Sequence, residues 1–249
     1  MMTETNKKSA IVTGASRGIG REIARVLAKD GYNVVINYKN SQKEALELKE
    51  ELESEGAFCE IFKADVGRYE EAKALIEFCT EKYGRLDVLV NNAGISEIKL
   101  FTDISPDDWN RMIETNLTGV YNCTVNGVKE MLKNKSGSII NITSMWGQIG
   151  ASCEVHYSAA KAGVIGLTKA LAKELGLSGI RVNAISPGVV ETEMMKGFTK
   201  EDLDALREEI PLNRFGTPQD VADLALFLAS DISRNITGQI IGTNGGMVI

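Results

Sequence analysis

Ala10-Ile11-Val12-Thr13-Gly14-Ala15-Ser16-Arg17-Gly18-Ile19-Gly20 is the stretch that decides the fold. The apolar run Ala10–Val12 reads as a buried strand, and the glycine turn Thr13–Gly20 follows it directly. Ile19, Ile23, Val26 and Leu27 then recur at helical spacing up to Ala28. Strand, glycine turn and helix form the context that a dinucleotide site needs. Glycines let the backbone turn sharply and approach a phosphate, and the helix N-terminus offers unpaired N–H groups and the positive end of a dipole. Taken alone, the same motif also suits a tight strand–helix turn that binds nothing.

Outward from this stretch, apolar runs alternate with helical patterns. Strands are predicted over Ser9–Thr13, Asn33–Tyr38, Phe58–Ala64, Val88–Asn91, Ser138–Thr143, Arg181–Ser186 and Gln239–Gly242. Helices are predicted near 18–30, 41–55, 68–84, 105–134, 155–177 and 217–229. This alternation predicts an α/β fold, a doubly wound, seven-stranded parallel sheet with helices on both faces. Ser105-Pro106-Asp107-Asp108 reads as a helix start: a capping hydroxyl, proline at the first helical position, acids in the first turn. Thr217-Pro218-Gln219-Asp220 repeats the device. Ligands of such sheets lie beyond the strand C-terminal ends, and the ends at Thr13, Asn91, Thr143 and Ser186 each lead into a motif. The segment 189–210, rich in Met and charge, breaks the pattern.

The 249 residues suit one α/β domain over 1–249, with no linker or repeat visible. The start Met1–Lys8 lacks an apolar signal core, and no run of about 18 apolar residues suggests a membrane span. The cysteines Cys59, Cys79, Cys123 and Cys153 are scattered without metal-ligand spacing, as expected for reduced thiols in a cytoplasmic protein. One histidine, His156, rules out a histidine-rich metal site, so no metal is expected. A net charge of −6 disfavours non-specific nucleic-acid binding.

The second informative stretch runs from Thr143-Ser144-Met145-Trp146 to His156-Tyr157-Ser158-Ala159-Ala160-Lys161. Tyr157 and Lys161 are four apart and share one helix face. An ammonium beside a phenol should pull the phenol pKa down from about 10. Such a tyrosine can exchange a proton with a substrate oxygen that Ser144 also hydrogen-bonds.

With these pieces in place, the chain resembles the short-chain dehydrogenase/reductase family from about residue 7 to its end. The matching motifs, in order, are Thr13-Gly14-x-x-x-Gly18-x-Gly20, Asp65-Val66, Asn91-Asn92-Ala93-Gly94, Asn116, Ser144, Tyr157-x-x-x-Lys161, Pro187-Gly188 with Thr192, and Asn244-Gly245-Gly246. Within the family the chain is most similar to bacterial 3-oxoacyl-(acyl-carrier-protein) reductases. The resemblance implies a single-domain Rossmann fold and a ketone reductase that transfers hydride between nicotinamide and a carbonyl carbon. Tyr157 would protonate the nascent alkoxide and Ser144 would polarise the carbonyl. Lys161 would hold the nicotinamide ribose, and Asn116 would anchor a water that refills the proton through Lys161.

The resemblance also implies the cofactor contacts. The glycine loop supplies Gly14, Ser16, Arg17, Gly18, Ile19 and Gly20, and the end of the second strand supplies Asn37, Tyr38 and Lys39. Asp65 and Val66 would meet the adenine. Asn91, Ala93 and Gly94 would line the adenosine ribose side, Val189 and Thr192 would hold the nicotinamide carboxamide, and Asn92, Pro187, Gly188 and Val190 would complete the cofactor contacts. An NAD site usually carries an acid about 20 residues past the glycine turn, for the ribose 2′-OH. Here Ile36-Asn37-Tyr38-Lys39-Asn40 has none, and the cations Arg17 and Lys39 suit the 2′-phosphate of NADP(H).

Two substrates stay open. Met145, Trp146, Ile149, Val155, Met194, Met195 and Phe198 could take an acyl chain. Lys129, Lys133, Lys135, Lys169 and Lys173 could receive an acidic acyl carrier protein, although family reductases tend to carry arginines there. Against this, Glu154 places a carboxylate three residues before Tyr157. The stretch Trp146-Gly-x-x-Gly-Ala-Ser-Cys-Glu-Val also looks like a subgroup that reduces a 5-aminopentanone group on a lysine of elongation factor P, and an amine would suit Glu154. A generic carbonyl reductase is a further alternative. Family members are commonly tetramers, so a homotetramer is expected, with 189–210 as the substrate loop.

Overall fold

The computed structural model describes residues 7–191 and 199–249. The expected Thr192 contact and the pocket candidates Met194, Met195 and Phe198 lie outside the described residues. Seven strands form one sheet: β1 (Ser9–Val12), β2 (Asn33–Tyr38), β3 (Cys59–Lys63), β4 (Val88–Asn91), β5 (Gly137–Ile142), β6 (Ile180–Pro187) and β7 (Ile240–Thr243). They lie in the order β3-β2-β1-β4-β5-β6-β7 and pair in parallel throughout. The order reverses between β1 and β4, which opens a crevice at their C-terminal ends.

The strands read as continuous apolar runs because both faces are covered. In β1, Ala10 and Val12 face one core with Ile23 and Leu27 of α1 (Gly18–Lys29), Leu48 and Leu52 of α2 (Gln42–Ser54) and Leu228 of α9 (Pro218–Ala229). Ile11 faces the other core. That core contains Leu75 and Ile76 of α3 (Tyr69–Tyr83), Cys123 and Met131 of α5 (Gly119–Asn134), and Ala172 and Leu175 of α7 (Val155–Leu175). At about 25 cal/mol per Å² of buried apolar surface, these two layers dominate the drive to fold.

The region 105–134 is not the one helix that its periodicity predicts. It runs as α4 (Pro106–Ile113), a π-helical turn over Glu114–Thr118, and then α5. Among the described residues two short α-helices went unforeseen, α6 (Trp146–Ile149) and α8 (Lys200–Glu208), the latter inside the segment read as a loop. Both predicted helix starts are capping boxes. The Ser105 hydroxyl accepts from the Asp108 N–H at 3.1 Å, and the Asp108 carboxylate accepts from the Ser105 N–H. Thr217 and Asp220 do the same, as does the unforeseen pair Thr199 and Asp202 at α8. Among the described residues no helix is long and apolar enough to cross a membrane.

Candidate active site

The glycine turn ends β1 and opens α1. Gly14 has φ +61° and Gly18 φ +56°, conformations that disfavour any side chain. A Cβ on Gly14 would lie 2.8 Å from the Ala93 Cα, so the turn sits directly against the end of β4. The contact is stitched by polar groups. The Thr13 hydroxyl accepts from the N–H groups of Asn92 (2.9 Å) and Ala93 (3.0 Å), while Asn92 Nδ2 donates to the carbonyls of Thr13 and Gly14. Asn37 also works inward. It is 1% exposed; its Oδ1 accepts from the Gly14 N–H and its Nδ2 donates to the Phe62 and Ala64 carbonyls. Asn37 therefore shapes the loop from beneath. Ser16 and Tyr38 are buried beside it, whereas Arg17 is exposed at the α1 N-cap. Asn91, expected on the ribose side, is buried and turns its amide into the fold, to Thr124 and Asn141.

These features form a cradle with small residues where a pyrophosphate would pass and an open helix N-terminus behind it, so the residues present fit a dinucleotide. Lys39 does not stand alone. Its ammonium pairs with the Asp65 carboxylate at 2.6 Å, and that carboxylate also accepts from the Gly67 N–H. Val66 is buried against Gly119, and Asn122 of α5 donates to the Val66 carbonyl at 3.0 Å. On the other side of the crevice, Pro187 ends β6 and accepts from the Met145 N–H at 3.0 Å. A Cβ on Gly188 would meet the Asn244 Cα at 2.8 Å. Val189 and Val190 run on beside Gly216, with the Gly216 N–H donating to the Val189 carbonyl and the Glu191 N–H to the Gly216 carbonyl.

The four candidate catalytic side chains come together at this end of the sheet. Ser144 follows β5; its hydroxyl accepts from the Trp146 N–H at 3.2 Å and lies near enough to the Tyr157 phenol to favour its ionised form. Tyr157 and Lys161 project from the first two turns of α7, with the ammonium 5.6 Å from the phenol ring centroid. Lys161 is 4% exposed and donates to the Ile142 carbonyl at 2.9 Å. Asn116 sits in the π turn. Its Oδ1 accepts from the Ile95 N–H at 3.1 Å and its Nδ2 donates to the Ile95 carbonyl at 2.9 Å. The extra residue of a π turn re-aims one side chain out of the helical ladder, here toward Gly94. A Cβ on Gly94 would lie 2.6 Å from Asn116 Oδ1 and 3.5 Å from Lys161 Nζ, so glycine keeps the two in reach of each other.

The electrostatics differ from the sequence-based expectation. Burial pushes the Tyr157 phenol up to about 12; the Ser144 hydroxyl opposes this and the Glu154 carboxylate adds to it. Burial also lowers Lys161 to about 8. Desolvation dominates both because the ammonium lies over the ring and bonds a backbone carbonyl instead of the phenol oxygen. Tyr157 is accordingly a protonated phenol, a donor suited to an alkoxide.

Several residues that hold the site had no site role assigned from sequence. The Thr143 hydroxyl donates to the Lys161 carbonyl at 3.0 Å, and a Cβ on Gly147 would meet the Lys161 carbonyl carbon at 2.8 Å. The Ser186 hydroxyl donates to Gln148 at 2.8 Å and ties α6 to β6. None of these carries a periodicity signal. At the mouth, the Lys99 N–H donates to the Cys153 carbonyl at 2.7 Å and joins two loops, with Cys153 at φ +61°. Glu154 is half-buried, and burial raises its carboxyl pKa. Of the apolar pocket candidates, Met145 is buried, Trp146 is half-buried, and Ile149 and Val155 are exposed.

Comparison with known proteins gives a consistent picture. The family model described as enoyl-(acyl carrier protein) reductase matches residues 14–248. The 3-oxoacyl-[acyl-carrier-protein] reductase FabG of Staphylococcus epidermidis is 46% identical over 240 residues, covering 96% of this chain and 98% of that protein. The 3-oxoacyl-[acyl-carrier-protein] reductase of Synechocystis is 45% identical over 249 residues, with both chains fully covered. The uncharacterized oxidoreductase YmfI of Bacillus subtilis is 42% identical over 240 residues, covering 96% of this chain and 98% of that protein.

Proposed function

This chain belongs to the short-chain dehydrogenase/reductase family, and from that premise we propose that it reduces 3-oxoacyl-(acyl-carrier-protein) thioesters to 3-hydroxyacyl thioesters with NADPH. The family makes it an oxidoreductase acting on CH–OH and C=O groups with a nicotinamide cofactor. The observation that carries the catalytic reading is the convergence of Ser144, Tyr157, Lys161 and Asn116 at the C-terminal ends of β4 and β5.

The loop Gly14–Gly20 with Asn92, Ala93 and Gly94 would hold the cofactor's phosphates and adenosine ribose. Asp65 and Val66 would meet its adenine, and Lys161 with Pro187–Val190 and Thr192 its nicotinamide side. When bound, the cofactor supplies the hydride. Ser144 would donate to the carbonyl oxygen and so polarise the carbon. Tyr157, protonated because burial holds its pKa near 12, would deliver its proton as negative charge develops on that oxygen. Lys161 would stabilise the phenolate left behind, and Asn116, anchored at Ile95, would hold the water that returns a proton through Lys161.

The preference for NADPH is supported by the exposed Arg17 at the loop and by Lys39, whose ammonium would be shared between Asp65 and a 2′-phosphate. Lys129, Lys133, Lys169 and Lys173 on α5 and α7 support an acidic carrier as partner, although Lys133 is already paired with Glu130 at 2.6 Å. Exposed Tyr121 and Leu132 on α5 and Ile249 at the chain end support a symmetric tetramer.

A second reading rests on Glu154. This half-buried carboxylate acts electrostatically on Tyr157 and would favour a ketone bearing an amine, as in the 5-aminopentanone modification of elongation factor P. Initial rates of NADPH and NADH oxidation with acetoacetyl-coenzyme A, a neutral ketone and an amino-ketone decide between the two. Dominant NADPH-dependent thioester turnover supports the carrier substrate. Dominant amino-ketone turnover replaces it with the second reading, and no turnover of any ketone ends both.

A further inference from the structure

A row of buried polar side chains crosses the fold beneath the site and has no part in the chemistry above. Asn91 on β4 is paired directly with Asn141 on β5. Asn91 Nδ2 donates to Asn141 Oδ1 at 2.8 Å and to the Thr124 hydroxyl of α5 at 3.0 Å. Asn141 Nδ2 donates to the Thr168 hydroxyl of α7 at 2.9 Å, and Thr168 donates onward to the Val164 carbonyl at 2.8 Å. All four side chains are at most 3% exposed. An apolar set would pack the same space without desolvating two amides, so what the polar set adds is direction.

We propose that this ladder, through its Asn141–Thr168 rung, fixes the register of α7 against β5 and so positions Tyr157 and Lys161 for proton delivery. The inference rests on the catalytic reading of those two residues. Thr168 lies seven residues, two helical turns, below Lys161 and on the same face. Its proton is committed to Val164, so its lone pair is aimed at β5. Thr143 lies two residues beyond Asn141, on the same face of the chain, and grips α7 at the Lys161 carbonyl. Two grips two turns apart fix both the slide and the roll of the helix, where either alone would leave it free to pivot. Thr124 extends the row to α5, which continues from the π turn that carries Asn116. The ladder thus joins the elements bearing three of the four catalytic side chains and the strand leading to the fourth.

The test compares full-length wild type with Thr168→Val, Thr168→Ser and Ser138→Ala. Ser138 is an equally buried hydroxyl at the opposite end of β5, bonded to the Leu228 carbonyl at 2.8 Å, and controls for stability alone. Thr168→Val is expected to lower kcat at least tenfold, leave KM for NADPH within twofold and shift the alkaline limb of the kcat–pH profile. Thr168→Ser restores kcat to within threefold, and Ser138→Ala leaves it within twofold. Should the valine variant not fold, Thr168→Cys, whose thiol is a weak acceptor, should give an intermediate loss. Unchanged kcat in Thr168→Val, or no rescue by serine, overturns the proposal. Hydrogen exchange of the peptide over residues 155–168 reads the ladder without turnover. It should quicken at least tenfold in Thr168→Val and stay unchanged in Ser138→Ala. Equal exchange overturns the ladder, whereas a wild type that turns over no ketone overturns only the functional reading.

Discussion

Replacing Lys161 with methionine should abolish turnover and yet stabilise the fold at neutral pH. Lys161 is 4% exposed, and burial lowers its pKa from 10.5 to about 8. At about 1.4 kcal/mol per pH unit, holding the charged form in the fold costs about 3 kcal/mol at pH 7. Methionine removes that penalty and keeps most of the packing volume. It also removes the 2.9 Å bond to the Ile142 carbonyl, a loss of about 1–3 kcal/mol. The net gain at pH 7 is therefore about 1 kcal/mol, or about 2–4 °C in Tm for a chain of this size.

The sign of the pH dependence is the sharper signature. Because the folded-state pKa is depressed, the unfolded chain binds more protons between about pH 8 and 10.5, and wild-type stability rises with pH across that window. The penalty is full below about 8 and gone near 10.5, while a neutral amine can still donate to Ile142. The variant should lead at pH 7 and trail at pH 10. Urea denaturation at both pH values, with unchanged m, reads this from the midpoints. A variant less stable than wild type at pH 7, by a margin that does not change at pH 10, would refute the reasoning.

Gly94→Ala should cut turnover at least tenfold with little change in circular dichroism, because its Cβ would lie 2.6 Å from Asn116 Oδ1 and displace it; steady-state kinetics on the folded variant checks this. In the reduction direction kcat/KM should fall as pH rises through about 8, where Lys161 loses its charge, since Tyr157 stays protonated to about 12; a rate profile flat to pH 10 would contradict it. Lys39→Ala and Arg17→Ala should each weaken NADPH binding by about tenfold, the worth of one charge-assisted contact, and leave NADH binding unchanged in fluorescence titrations.

Much of this was legible in the chain because local chemistry and global fold agree. The strand, turn and helix around Thr13–Gly20 encode both a parallel-sheet unit and the cradle proposed for the cofactor's phosphates, and the Ser105 and Thr217 boxes mark helix starts by their own hydrogen bonds. The π turn at Glu114–Thr118 was not legible, since one inserted residue leaves the apolar periodicity nearly intact while changing where Asn116 points. Asn37 shows a related limit: its place after the glycine turn suggests a ligand contact, whereas its amide spans the loop and two strands from within. Lys39 reads as a lone cation until the sheet brings Asp65 to 2.6 Å. The Tyr157 pKa went the other way from expectation because sequence spacing gives proximity to an ammonium but not burial, and burial is the larger effect here. The Asn141–Thr168 rung links residues 27 apart that no spacing rule connects.

The most direct test of the central claim is product analysis. Wild type and Tyr157→Phe are incubated with NADPH and an acetoacetyl thioester, and the 3-hydroxy product is counted against cofactor consumed. The account predicts one product per NADPH from wild type, and a rate lower by about two to four orders of magnitude from the variant at unchanged cofactor affinity. A Tyr157→Phe enzyme that keeps a large share of the rate, or a wild type that makes no 3-hydroxy thioester, would contradict it.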